Sequence, residues 1–465
     1  MSVDEADAPV AQTGGRNGRL GLSTKIIYAT GDHTVNLALS AASLLYFKFL
    51  TDVADLRPAL AGAVVWVARA VDAVSDPTMG RISDLTRWKV GRRRGYFLLG
   101  ALPFGAFFAL MWLDAPFASQ GGKFVYYASI YVLLSLAMTV LSIPYMALLP
   151  EMANSYDERT SLNAFRSGAA VLGTLVAVGM KPLADGLGGG SDGWLFAGCV
   201  LGVWLVIPWL GVFRVSFERP EYAGKQQLGL RDGVRALMQH RSYRKLASLF
   251  VLARIAVDLI GAMLLFYFTY WLGREGDFPV TMLLFLVLVV LCLPVWLRIA
   301  RRHDKRSIFV FGSAWWIGSM MFMLLADPAW PRWTMFAIVG LTAIGYAVAD
   351  LMPWAMLGDV IDEDELATGE RREGIYVGFF TLLRKFGGAS AVLIIGFVMD
   401  ACGYVGGGVP REAQSELALQ TIRVLTTLAP AVFLALAIWV ALGYPLSRAA
   451  HEQVLEQLKR RGRPR

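Results

Sequence analysis

The chain has 465 residues, 56% of them hydrophobic and 17% charged, with a formal net charge of +8. Soluble domains carry about 25% charged residues, so this composition lacks the polar surface that a soluble protein of this length needs. The basic excess lies between apolar stretches, which excludes a nucleic-acid footprint and points to a membrane protein.

The first residues, 1–24, hold no apolar core of the kind a cleavable leader needs, and they read as a disordered cytoplasmic tail. Twelve apolar spans follow, at 25–51, 57–80, 96–114, 122–149, 161–184, 194–214, 246–272, 279–299, 308–326, 332–359, 375–400 and 417–444. Each is long enough for a membrane-crossing helix. The expected fold is an all-α membrane protein of twelve transmembrane helices in two pseudo-symmetric six-helix bundles. The first bundle covers 25–214 and the second 246–444, with a cytoplasmic linker at 215–245 and a basic cytoplasmic tail at 445–465. The linker segment RDGVRALMQHRSYRK reads either as a short surface helix or as a solvated link.

Lys and Arg cluster after spans 2, 6 and 8 and in the tail KRRGRPR, while the opposite loops hold single basics such as Arg57, Lys123, Arg274, Arg332 and Arg411. The positive-inside rule then places both termini in the cytoplasm. The repeat is visible in sequence. LPEMANSYDERTS follows span 4, and LGDVIDEDELATGERREG follows span 10 at an offset of about 208 residues. A parallel repeat of six spans is a recurrent transporter plan, with the solute site at the repeat interface.

Span 2 carries the densest charge. Arg69, Asp72 and Asp76 stand at i, i+3 and i+7 and project from one helix face. A charge at the bilayer centre costs roughly 2.5–3.5 kcal/mol, so three on one span must pair, face a wet cavity or bind an ion. An Arg69–Asp72 pair leaves Asp76 without a cation on its own helix, as a small cation would require.

Other spans add polar groups. Span 1 carries Asp32, His33 and Asn36; span 4, Ser142 and Tyr145; span 5, Arg166; span 10, Asp350 and Trp354; span 11, Thr381, Arg384 and Lys385. Arg254 and Asp258, four apart in span 7, read as an intrahelical pair. Lys48, near the outer end of span 1, is expected to snorkel to the interface. A central polar cavity accommodates the rest. Tyr145, Trp354 and Tyr376 are ring platforms for a sugar or, more simply, core. On the cytoplasmic side Asp84, Arg87, Arg92, Arg93, Asp157, Glu158, Arg159, Asp362, Asp364, Arg371 and Arg372 form either a gate of ion pairs between the halves or a solvated rim.

Gly80, Asp84, Arg87, Gly91, Arg92 and Arg93 resemble the 2–3 loop of the major facilitator superfamily, with an expanded middle. YATGDHTVNL, FKFLTDVADLRPALAG, ARAVDAVSDPTMG, IPYMALLPEM, YDERTSLNAFR and RREGIYVGFFTLLRKFGG are similar to the glycoside–pentoside–hexuronide:cation symporters, the family of melibiose permease. The resemblance runs from about Lys25 to Gly443.

It implies symport of a sugar, glycoside or hexuronide-like solute by alternating access. Asp72 and Asp76 match the family's cation acids, with Asn36 and Thr381 as further oxygens, and a Na⁺ ion or a proton is the coupling ion. No cofactor is implied. Arg69 matches the family arginine beside those acids, Lys385 a lysine that links the cation and solute sites, and Arg166 an arginine at the solute site; the solute-binding set would include all three with Asp32, Ser142, Tyr145, Asp350 and Trp354. Asn36 and Ser142 stand where melibiose permease has acids, and Asp350 where it has a tryptophan, which argues for a different solute. The related vertebrate sodium-dependent lysophospholipid transporters suggest a lysophospholipid or another amphiphile as the alternative, and a non-transporting receptor or scaffold of the same fold is a further one. With four histidines, three scattered cysteines and no H-E-x-x-H or phosphate-binding loop, neither an enzyme nor an ATP-driven pump is expected. The expected partners are a small solute, a cation and the lipid bilayer. The expected state is a monomer in a bacterial inner membrane.

Overall fold

The computed structural model describes residues 20–153, 155–218, 237–300, 302–370 and 372–460, with only the backbone of Tyr156. Among them lie thirteen helices, and no sheet. They are α1 (22–53), α2 (Pro58–Leu85), α3 (Gly95–Leu110), α4 (Gln120–Met152), α5 (Asp157–Gly186), α6 (Gly190–Val215), α7 (Arg241–Trp271) and α8 (Phe278–Ala300). The rest are α9 (Lys305–Leu324), α10 (Arg332–Thr368), α11 (Glu373–Ala401), α12 (Glu416–Leu442) and α13 (Arg448–Arg460).

Ten of these are long and apolar enough to cross a membrane. The other two of the twelve expected are α3, only 16 residues long, and α1, whose hydropathy is broken by Lys25, Asp32, His33, Lys48 and Asp52. Both are held among neighbours. α1 packs on α5 and α6, α3 packs on α4 and α6, and α2 packs on α4. Raising every label by six gives contacts that also occur: α7 on α11 and α12, α9 on α10 and α12, α8 on α10. The two sets of six share one packing plan. Between them α2 lies on α11, α7 on α1, and α5 on α8 over a shorter stretch.

Several boundaries differ from expectation. α10 continues to Thr368 and absorbs the first part of the second repeat motif, because Val360, Ile361, Asp362, Asp364 and Glu365 are buried against the bundle rather than solvated. α7 begins at Arg241, taking the end of the expected linker; residues 219–236 lie outside the described set. The basic tail holds α13, seated on α10 through buried Leu458. α1 has π-helical turns at Ala42–Tyr46 and Phe49–Val53, and α7 ends in one at Tyr267–Trp271. Such turns are rare and recur at functional positions.

Candidate cation and solute site

α2 presents its three charges to α4. Arg69 Nη1 donates to Asp72 Oδ2 at 2.9 Å, and Arg69 Nη2 reaches the Tyr131 hydroxyl at 3.3 Å. The Asp72 side chain is fully buried. Its other oxygen accepts a short hydrogen bond from Ser135, and Asp76 Oδ1 accepts one from Thr139 at 2.8 Å. Both bonds span 63 residues, since α2 and α4 run in parallel and the two pairs are each four residues apart. Lys385 of α11 completes the cluster from the other set of helices. Its ammonium bonds Asp76 and lies 3.3 Å from Asp72 Oδ2.

Asp76 therefore has a counter-ion, one that its own helix does not supply. A buried acid stripped of its cation costs several kcal/mol, and α11 is the only described helix that brings a lysine to it. Asn36 and Thr381 do not join the acids. Asn36 donates to the Asp32 carbonyl at 2.8 Å and Thr381 to the Val377 carbonyl at 2.9 Å, each within its own helix.

A second cluster joins α1 to α5. Arg166 grips Asp32 with two N–H groups, one of them at 3.2 Å from Oδ1. The Tyr145 hydroxyl lies 2.8 Å from Asp32 Oδ2, and the Arg166 guanidinium sits 5.0 Å over the Tyr145 ring. Tyr145 is buried and stacked on Tyr28, so it positions Asp32 and presents no open face to a sugar. Ser142 lies one turn earlier and is half-buried. In the other half Arg254 and Asp258 form the expected pair, with Nε to Oδ2 at 2.7 Å. Arg254 Nη1 also stands 3.6 Å from Asp350, and Arg384 faces this group while staying exposed. Trp354 meets Phe250 and Phe380 edge-on, at 5.7 and 5.0 Å, within an aromatic cluster. Tyr376 is buried against Tyr243.

One end of the molecule is closed by contacts between the halves. Lys48 is buried there, bonded to Asp52 and 4.7 Å over the Tyr270 ring. It does not snorkel, because Asp52 one turn away neutralises it within the π-helical segment. Asp52 also accepts from the Tyr270 hydroxyl at 2.8 Å and the Tyr404 hydroxyl at 2.5 Å. Lys181 meets Glu275 at 3.3 Å, and the Gly407 amide donates to the Thr51 carbonyl at 2.9 Å.

At the opposite end each ion pair described joins residues of the same half. Arg92 and Arg93 bind Glu151, Arg93 binds Asp84, and the amides of Arg92, Arg93 and Arg94 converge on Glu218. Lys25 pairs with Glu158 at 2.9 Å, and Arg159 donates to the Ala153 carbonyl. Arg372 holds Asp364, with Nε to Oδ2 at 2.9 Å, while Arg87 and Asp157 are exposed. Arg371 lies outside the described residues. The ion pairs described among the expected gate residues thus fasten loops to their own bundles.

Sequence reasoning missed Ser135, Thr139, Glu151, Glu218, Asp52, Tyr270 and Tyr404. It also passed over GGSDG (189–193), which has the spacing of a nucleophile elbow. That segment is the turn from α5 into α6, with Gly189 and Gly190 left-handed and no strand before it among the described residues.

Ten apolar membrane-length helices, with α1 and α3 completing a duplicated packing plan and buried ion pairs where the halves meet, define a helical membrane transporter. The chain belongs to the MFS/sugar transport protein family, whose model matches residues 27–448. Inner membrane symporter YicJ of Escherichia coli is 29% identical over 94% of this chain and 95% of its own length. The sodium-dependent lysophosphatidylcholine symporter 1-A of Danio rerio is 26% identical over 94% of this chain and 88% of its own. A bacterial homologue of the human lysosomal transporter Spinster shares the fold, with a TM-score of 0.68 at 13% identity, covering 91% of this chain and 95% of that one. The expected symporter family is borne out. The protein is a multi-pass integral membrane protein that works as a secondary active transporter, moving a small solute with a coupling cation, and not as an enzyme.

Proposed function

We propose that Asp72 and Asp76, with the hydroxyls of Ser135 and Thr139, take up the coupling cation, and that the solute is of the sugar class. The family description favours a sugar. The observation that carries the cation reading is the ion pairing of two acids on α2 with Lys385 of α11, one helix from each half. Lys385 stands in for the cation when the halves meet in this way. A Na⁺ ion or a proton arriving at the acids releases the lysine, so the charge on α2 and the position of α11 change together. No further cofactor is part of this cycle.

The solute then lies between Asp32 and Arg166 on one side and Arg254, Asp258, Asp350 and Arg384 on the other, within reach of Arg69, Ser142 and Trp354. Asp32 and Arg166 are paired in one wall, and Arg254 with Asp258 and Asp350 in the other, so a polyhydroxylated molecule can exchange hydrogen bonds with these groups without leaving a bare charge. The face carrying the α2–α3 loop, α13 and the start of α1 is cytoplasmic by the positive-inside rule. There Asp84, Arg87, Arg92, Arg93, Asp157, Glu158, Arg159, Asp364 and Arg372 form the gate rim. One chain encloses the pathway, so a monomer suffices.

The test is uptake into proteoliposomes under imposed Na⁺ or H⁺ gradients, with glycosides, pentosides, hexuronates and lysophospholipids as solutes. Gradient-driven accumulation of a sugar that is lost in Asp72→Asn and Asp76→Asn supports the reading and names the ion. Lysophospholipid flux without sugar flux moves the protein to the second reading, which the zebrafish relative favours. Flux that ignores both gradients and both variants removes the α2 site from the mechanism.

A further inference from the structure

The cytoplasmic end of α7 meets α12 around a cavity of about 350 Å³ lined by Arg241, Arg244, Lys245, Ser248, Trp439 and Val440. The four α7 residues stand at i, i+3, i+4 and i+7 and so share one helix face. None of the three cations has an ion-pair partner among the described residues. Three like charges within one turn repel each other, and nothing described offsets this. The other charge clusters of the same face are different: Arg92, Arg93, Lys305 and Arg372 are all paired.

The far wall of the cavity is apolar. Trp439 is 72% exposed, and Val432, Leu436 and Leu442 on the same helix are exposed as well. In a membrane such residues face acyl chains, and an indole at the end of a span sits at headgroup level. The cavity thus has an unneutralised cationic floor where headgroups lie and opens beside an apolar lane along α12.

We infer that this cavity binds the anionic headgroup of a phospholipid of the cytoplasmic leaflet, with Arg241, Arg244 and Lys245 on the phosphate and the acyl chains along α12. The bound lipid spans α7 and α12 and neutralises the inner end of the helix that carries Arg254 and Asp258. A free phosphate would satisfy the cations but leave the apolar lane unused.

The experiment uses the full chain in mixed micelles, titrated with phosphatidylglycerol against phosphatidylcholine. Retained lipid adducts are counted by native mass spectrometry, and the melting temperature is followed in parallel. Phosphatidylglycerol is expected to be held and to raise the melting temperature. R241Q/R244Q/K245Q should weaken it roughly a hundredfold, since each cation near a membrane surface contributes about a factor of five. R81Q/K89Q/R302Q removes the same charge from exposed positions of the same face and should leave the adduct intact. R241K/R244K keeps the charge and should keep most of the affinity, which separates loss of the site from loss of the fold. Equal stabilisation by inorganic phosphate overturns the assignment to a lipid. Equal weakening by the two triple variants reduces the effect to net charge and overturns the site.

Discussion

α2 and α8 occupy the same place in the two halves, and only one of them carries chemistry. α2 holds Arg69, Asp72 and Asp76, while α8 has no charged residue from Phe278 to Leu297. Their seams differ in the same way. Where α2 crosses α11, a Cβ on Gly396 would stand 2.3 Å from the Pro58 carbonyl, and one on Gly62 would stand 2.8 Å from the Val392 carbonyl, so the backbones touch. α8 meets α5 over less of its length and exposes Leu283, Val287, Val290, Leu291 and Val295. The packing plan is the same in both halves, while buried acids paired across the halves stand on one seam. On that seam, Lys385 ties the acids of α2 to the other half.

The largest test of this asymmetry is Asp72→Asn. It removes the buried acid on which Arg69, Ser135 and Lys385 converge, and breaking such a pair costs about 3–5 kcal/mol. Gradient-driven uptake should vanish and the melting temperature should fall. A variant that still concentrates solute would make α2 as passive as α8.

The second test compares the end where described contacts join the halves with the opposite end, where each ion pair described stays within one half. Asp52→Asn leaves Lys48 buried between the halves with a weakened partner, also at a cost of about 3–5 kcal/mol. It should loosen the contacts that join the halves at that end, read as faster alkylation of a cysteine placed beside Tyr270 and Tyr404. Arg372→Gln loses a pair that is also largely buried but lies within one half, so it should lower stability while changing that alkylation rate far less than Asp52→Asn does. Equal effects would mean that the inner pairs also cross between the halves during the cycle.

Ser135→Ala and Thr139→Val come next. Each removes a neutral donor to a carboxylate, a bond of about 1.5–3 kcal/mol. Apparent cation affinity should fall about tenfold with the solute range unchanged, measured as the cation dependence of initial uptake. Loss of solute affinity at fixed cation would place these hydroxyls in the wrong site.

Much of this was legible in the sequence, for identifiable reasons. The spans, the repeat and the α2 acids show because charge inside an apolar run is conspicuous. Arg254–Asp258 shows because its partners lie on one helix. Ser135 and Thr139 did not show, because Ser and Thr in an apolar span ordinarily bond their own backbone. The available signal was their shared spacing of four with Asp72 and Asp76 on a parallel helix. Lys48 was misread because a lysine near a span end usually snorkels; its signal was Asp52, four residues on. α13 was hidden by its basic composition, although Val454 and Leu458 already repeat at four. The pairing of Lys385 with Asp76 across 309 residues leaves no pattern in the sequence, and only the family resemblance set that lysine between the cation and solute sites.

The smallest effects should come from Asn36→Ala and Thr381→Ala, and they sharpen the comparison most finely. Both were expected beside the cation, yet both side chains bond their own helices. With the halves arranged as here, neither variant should alter cation binding by more than about twofold, because no hydrogen bond to a charged group is lost. Thr381 lies one helical turn before Lys385 on α11, however, and any movement of α11 that withdraws the lysine also moves the threonine relative to the acids. The measurement is therefore made twice: cation-induced stabilisation of the resting protein, and cation dependence of uptake, which samples the whole cycle. A Thr381→Ala variant that is silent in the first and impaired in the second would show α11 replacing its lysine with a hydroxyl as the cation arrives. Silence in both would leave Ser135 and Thr139, fixed on α4, as the neutral oxygens of the site, and would confine the moving part of the coupling to Lys385.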